Sequence, residues 1–216
     1  MDTRLIPRNL IYTTASLTLV LLTASCNKNS DNTLNFKNAL DNYYSAHPAC
    51  LWSEPVKFPV QAETSDSSKT TRYDALVDQG LLVRTTAEKK VLIVASKQVN
   101  NYDLSDKGRS AWTADVSQPG YGNFCYGHRS VSSIDSSTPT SSAPGATTQV
   151  TYHYSFSSAP GWATAPETQT AYPKLQADLS TPKAGQATLT NTANGWQVSS
   201  AHPSGSSADP GGQIVE

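Results

Sequence analysis

The sequence predicts an α+β protein, with a helical half over residues 34–122 joined to an antiparallel β-sheet half with one helix over residues 123–200. Three observations predict it. Phe36, Leu40, Tyr43 and Tyr44 recur at the spacing of one apolar helix face, behind two residues suited to helix capping, Asp31 and Asn32. Val150, Tyr152, Tyr154 and Phe156 alternate with polar residues, the period of a strand with one face buried. Asn194-Gly195 separates two extended runs and is a strong hairpin signal. At 216 residues the chain is long enough for one compact domain, or two small ones sharing a core. Lys and Arg number 16 against 17 Asp and Glu, so the net charge of -1 leaves no basic footprint for nucleic acid.

The first residues carry an address. Arg4 and Arg8 form a short basic leader, and Leu10–Ala24 (LIYTTASLTLVLLTA) is apolar and ends in small residues. A basic start, an apolar run of about 15 residues and a small-residue exit describe a secretory signal peptide over residues 1–25. Spanning a bilayer takes about 20 apolar residues, so a permanent transmembrane helix fits less well. The string Leu22-Thr23-Ala24-Ser25-Cys26 resembles the lipobox of bacterial lipoproteins. In that family the cysteine is acylated and becomes the mature N-terminus, so the resemblance implies lipidation of Cys26. Asn27 is the next residue, and by the same resemblance it implies the outer membrane, on its periplasmic face, in a Gram-negative host. The polar stretch that follows predicts a lipidated tether over residues 26–33.

In the first half, a helix from the Asn32 region ends at His47-Pro48. Leu51–Ala62 reads as an extended edge or loop, broken by Pro55 and Pro59. Ser68–Gln79 reads as a second helix with Gly80 as its stop, and Leu81–Glu88 and Lys90–Val99 as strands. Asn100–Leu104 continues extended, and Ser105 caps a short helix through Trp112. Within this stretch Leu76-Val77-Asp78-Gln79-Gly80-Leu81-Leu82 and Tyr102-Asp103-Leu104-Ser105-Asp106-Lys107-Gly108-Arg109 resemble the wing region of winged-helix proteins, over Tyr73–Trp112. That resemblance implies a shape. Its DNA-binding function does not carry over, because Ser68–Gln79 offsets Lys69 and Arg72 with Asp74 and Asp78.

In the second half, Phe124–Ile134 alternates with a change of face near Gly127, which predicts a bulge. Asp135–Thr148 reads as a long loop and Gln149–Ser157 as the clearest strand, with His153 pointing away from its apolar face. Pro160-Gly161-Trp162 reads as a turn, and Ala165–Leu179 as a helix weakened by Pro173. Gln186–Ser199 closes with the hairpin, and residues 201–216 read as a disordered tail. Phe124-Cys125-Tyr126-Gly127 and Val150-Thr151-Tyr152-His153-Tyr154 resemble strand segments of uncharacterised bacterial lipoproteins.

With Cys26 acylated, Cys50 and Cys125 remain, the count for one disulfide in an oxidising compartment. Neither has a second Cys at zinc-ligand spacing. No phosphate loop, HExxH, GxSxG or calcium loop is present. Ser180-Thr181-Pro182-Lys183 matches SxxK, but it follows the last apolar period and reads as a polar turn. His128 and His153 lie on strands that can be neighbours, without a third ligand at suggestive spacing. Trp162, in a turn between polar runs, is a candidate binding anchor if it is exposed. These readings converge on a non-catalytic envelope lipoprotein with a binding or structural role. It is expected to have no cofactor or metal, to reach the membrane through Cys26, and to meet an envelope protein or ligand rather than nucleic acid. The alternatives are a periplasmic enzyme with a dispersed site and, further off, a cytoplasmic winged-helix DNA binder.

Overall fold

The computed structural model describes residues 28–92, 95–180 and 182–204, and its class is α+β. Helix α1 (Thr33–Ala46) starts where Asn32 accepts the Asn35 N–H and ends at His47. It buries Phe36, Ala39, Leu40 and Tyr44, the stripe its spacing predicts. Short strands β1 (Ala49–Cys50), β2 (Val56–Lys57) and β3 (Val60–Glu63) follow. Helix α2 (Ser67–Asp78) is capped by Asp66 and stopped by Gly80, whose φ of +71° favours glycine. Then come β4 (Leu82–Leu92), β5 (Ala95–Leu104), and α3 (Asp106–Ala111), which Ser105 caps through the Gly108 N–H. Strands β6 (Trp112–Ala114), β7 (Tyr121–Ser137) and β8 (Thr147–Ser157) lead to three short helices, α4 (Gly161–Thr164), α5 (Pro166–Ala171) and α6 (Pro173–Leu179). Strands β9 (Lys183–Thr192) and β10 (Gly195–Pro203) close the fold.

Two sheets result. The larger runs β1-β7-β8-β9-β10, with β2 and β6 also pairing to β7, and the smaller runs β3-β5-β4. All pairings are antiparallel. Helix α1 lies on one face of the large sheet, where Phe36, Leu40 and Tyr44 meet Val131, Tyr152, Tyr154, Leu189 and Trp196. A second cluster joins α2 and the small sheet to the start of β7 and to α4–α6, through Leu76, Tyr102, Phe124, Tyr126, Trp162 and Leu175. Phe156 packs against both clusters. Strand β7 therefore serves two cores, and it changes face between them. The ladder skips one residue between Cys50↔Cys125 and Ala49↔Gly127, and Gly127 has φ +143°. Before the skip Phe124 and Tyr126 point inward, and after it Val131 does.

Several expectations are corrected. The break expected at Lys89 lies inside β4, because Glu88, Lys89 and Lys90 are all paired within the ladder and the strand runs on to Leu92. The helix expected over Ala165–Leu179 is two helices, α5 and α6. Pro166 and Pro173 each open a new one, the position where a missing N–H costs nothing. The turn expected at Pro160-Gly161-Trp162 is the entry to α4. Strand β10 runs to Pro203, into the stretch read as a tail, whose remaining residues 205–216 lie outside the described part. The stretch read as a tether is docked from Lys28 onward. The Asn29 amide donates to Asn191 Oδ1 and to the Thr192 carbonyl, both at 2.9 Å. The Ser30 carbonyl accepts from Trp196 Nε1 at 3.2 Å, and Lys28 lies against Gly195.

Candidate functional site

The cysteines set the place. Cys50 and Cys125 stand directly opposite each other in the β1–β7 ladder, so their side chains share one face, and the structure joins them in a disulfide. Beside it opens a cleft of about 590 Å³ between the end of α1, the β6–β7 pair and α6. His47, Trp52, Tyr126, Arg129, Lys174 and Asp178 border it together with the two cysteines. A smaller pocket of about 220 Å³ shares Cys50, Trp52, Tyr126 and Lys174 with it.

Arg129 reaches this place because of the bulge. Its strand turns over at Gly127, and the half-buried side chain lies among three aromatic rings at the edge of the cleft. The guanidinium carbon lies 5.4 Å from the ring centre of Tyr44, 5.8 Å from that of Tyr154 and 5.2 Å from that of Phe156. These are cation–π distances. Nε is buried without a hydrogen-bond partner, and among the described residues no carboxylate forms an ion pair with Arg129.

The hydroxyls around it are held protonated. Tyr126 donates to the Asp178 carboxylate at 2.6 Å, and Asp178 is only 4% exposed. Burial first, and then that bond, pushes the Tyr126 phenol far above its ordinary range. Burial likewise raises Tyr44 and Tyr152, whose hydroxyls bond to each other. Tyr154 is raised by burial as well, with the neighbouring guanidinium pulling the other way, and it donates to the Ser204 carbonyl at 2.9 Å. The phenols of this region act as hydrogen-bond donors and as ring faces.

The residues singled out in the sequence fall in different places. Cys26 lies outside the described residues. Trp162 is 7% exposed and packs with its ring centre 6.0 Å from that of Phe124. A binding anchor needs exposure, so Trp162 is a core residue; the Pro-Gly turn it was read in is a helix start that folds it inward. His128 pairs in register with Ser157 and His153 with Ser133, which sets the two histidines well apart along one ladder. His128 Nδ1 faces the Tyr44 carbonyl, and His153 pairs with Asp135 at 2.6 Å. No group of three metal-ligating side chains forms among the described residues. Ser180 ends α6 while Lys183 opens β9, so the SxxK string does not lie on a helix turn. Asp74 pairs with Arg84 at 2.7 Å and accepts from the Tyr102 hydroxyl at 2.9 Å.

Sequence reasoning missed Arg129 and Asp178 as a site. The signal for Arg129 was present: a charged residue on the inward face of a strand otherwise facing in with Phe, Tyr and Val. Asp178 carried a fainter one, an acid next to Leu179 and three places after Leu175 in an apolar helix face. The chain matches no protein-family model, no curated protein and no solved structure. No helix among the described residues is long and apolar enough to cross a membrane.

Proposed function

We propose that this chain is a bacterial envelope lipoprotein, held to a membrane by acyl chains on Cys26, whose duty is binding rather than catalysis. The observation that carries the reading is the Cys50–Cys125 disulfide. Disulfides persist in oxidising compartments and are rare where thiols are kept reduced. Together with the leader over residues 1–25 and the lipobox-like string at its end, it supports an exported protein. The cleft beside the disulfide supports the binding duty. Its polar hydroxyls are donors held neutral, and its cysteines are joined to each other rather than available as nucleophiles.

The test is the intact mass of the protein taken from the membrane fraction of its native host, before and after reduction and alkylation. The expected result is loss of residues 1–25, added acyl mass at Cys26, and two alkylation sites that appear only after reduction. An intact leader with free Cys50 and Cys125 would overturn the reading and return the winged-helix resemblance to first place.

A further inference from the structure

We infer that the cleft beside the disulfide binds the oxyanion group of a small organic acid, with Arg129 as its main contact and Lys174 as a second cation. The inference rests on reading this cleft as the protein's binding site. It does not rest on the lipid anchor.

The Arg129 Nε lies buried beside the cleft without a hydrogen-bond partner. Arginine keeps its proton in proteins, so Arg129 is a cation wherever it sits. Arg129 is half-buried, no carboxylate forms an ion pair with it among the described residues, and buried polar atoms such as its Nε nearly always have a partner. Arg129 has three aromatic rings around it, which attract the charge, and the Tyr154 hydroxyl interacts with the guanidinium, but the buried Nε has no oxygen to donate to. The part of the side chain that stays accessible borders the cleft. An oxyanion placed there meets a rigid fork whose geometry matches carboxylate and phosphate alike.

Besides Arg129, the cleft is bordered by Lys174 and by two carboxylates, Asp115 and Asp178. Lys174, exposed on α6, makes no ion pair among the described residues. The acids are already engaged. Asp178 accepts the Tyr126 hydroxyl, and Asp115 accepts the N–H groups of Ser117 and Gln118 and the Ser117 hydroxyl. His47 turns Nδ1 to the Tyr43 carbonyl at 2.7 Å. A volume of about 590 Å³ suits a small organic molecule, and the Trp52 indole supplies an apolar wall. The ligand is therefore a carboxylate or phosphate carried on an apolar body.

The experiment uses the full chain in detergent, labelled with ¹⁵N-arginine, and follows the arginine Nε–H signals during titration. The probes are phenylacetate, phenyl phosphate and, as the neutral counterpart, benzyl alcohol. The expected result is a saturable shift of the Arg129 signal with at least one acid, while the signals of Arg72, Arg84 and Arg109 stay in place. The tighter acid tells carboxylate from phosphate. Arg129→Met should abolish the saturable response as read by Trp fluorescence. Lys174→Gln, at an exposed position where folding is not at issue, should weaken it about two- to fivefold. A linear shift without saturation, equal shifts of all arginine signals, or an equal response to benzyl alcohol would each overturn the inference. None of these results alters the mass measurement, so failure of the site and failure of the lipoprotein reading are told apart.

Discussion

Arg129 stands on β7 two residues before Val131, at a place where its strand otherwise turns apolar groups toward α1. Replacing it with methionine, of similar length, removes a cation and orphans no acid, because no ion pair is lost. The exchange relieves the desolvation of a half-buried cation but gives up its cation–π contacts with Tyr44, Tyr154 and Phe156, worth about 0.5–2 kcal/mol, so the two effects offset. The unfolding free energy of Arg129→Met from urea denaturation should therefore stay within about 1 kcal/mol of the parent, and a larger fall would count against an unanswered charge. Tyr126→Phe goes the other way. It leaves the Asp178 carboxylate, 4% exposed, without the hydroxyl that answers it. The expected loss is about 2 kcal/mol, the worth of a hydrogen bond to a charged group, read in the same denaturation experiment.

Among the elements, α3 shows how one residue sets a packing distance. A Cβ on Gly108 would stand 1.9 Å from the Leu81 carbonyl oxygen, so α3 rides directly on the chain that enters β4. Gly108→Ala should lift the helix and cost about 1–3 kcal/mol, seen as a lower melting temperature. Elements with a buried face were the legible ones. Helix α1 and strand β8 carry their periods openly because α1 and the large sheet bury each other. The face change in β7 was legible for the same reason, from Phe124 and Tyr126 on one side of Gly127 and Val131 on the other. The length of β4 was not. Residues 83–90 are exposed, so no alternation of burial marks the register, and the charged Glu88-Lys89-Lys90 looked like a break. Prolines misled in α5 and α6, since a proline that weakens the middle of one helix equally well starts the next. The cysteine pairing was accessible by counting. The cleft beside it was not, because Cys50, Arg129 and Lys174 come from three distant segments that only the fold brings together.

For the whole molecule, the disulfide links residues 75 apart, fastening the end of α1 to the strand that serves both cores. In the chain-entropy account a closed loop of that length stabilises by about 4–5 kcal/mol. The reduced protein, or Cys50→Ala with Cys125→Ala, should show a loss of that order in denaturant unfolding. Tyrosines set the alkaline limit. Burial raises Tyr44, Tyr152 and Tyr154 in one cluster and Tyr73, Tyr126 and Tyr172 in the other above 10.0. Below that pH the phenols are protonated in both states and contribute no slope. Above it the unfolded chain releases protons that the folded chain keeps, so stability falls as pH rises. The expected record is a flat melting temperature through neutral pH and a steep decline beyond about pH 10. Tyrosinate absorbance should rise together with unfolding rather than before it.

Lys28, Asn29 and Ser30 are fixed against the turn between β9 and β10, at the end of the molecule where α1 begins. Between Cys26 and Lys28 the sequence holds a single residue, Asn27, which at full stretch gives a leash of about 7 Å. An acyl chain at Cys26 would therefore pull the β9–β10 turn down onto the lipid headgroups and set the orientation of the body above them. Helix α1 begins at that same end of the molecule. Its 14 residues span about 21 Å, and His47 at its far end borders the cleft. The mouth of the cleft would open well clear of the bilayer, where a dissolved acid can reach it.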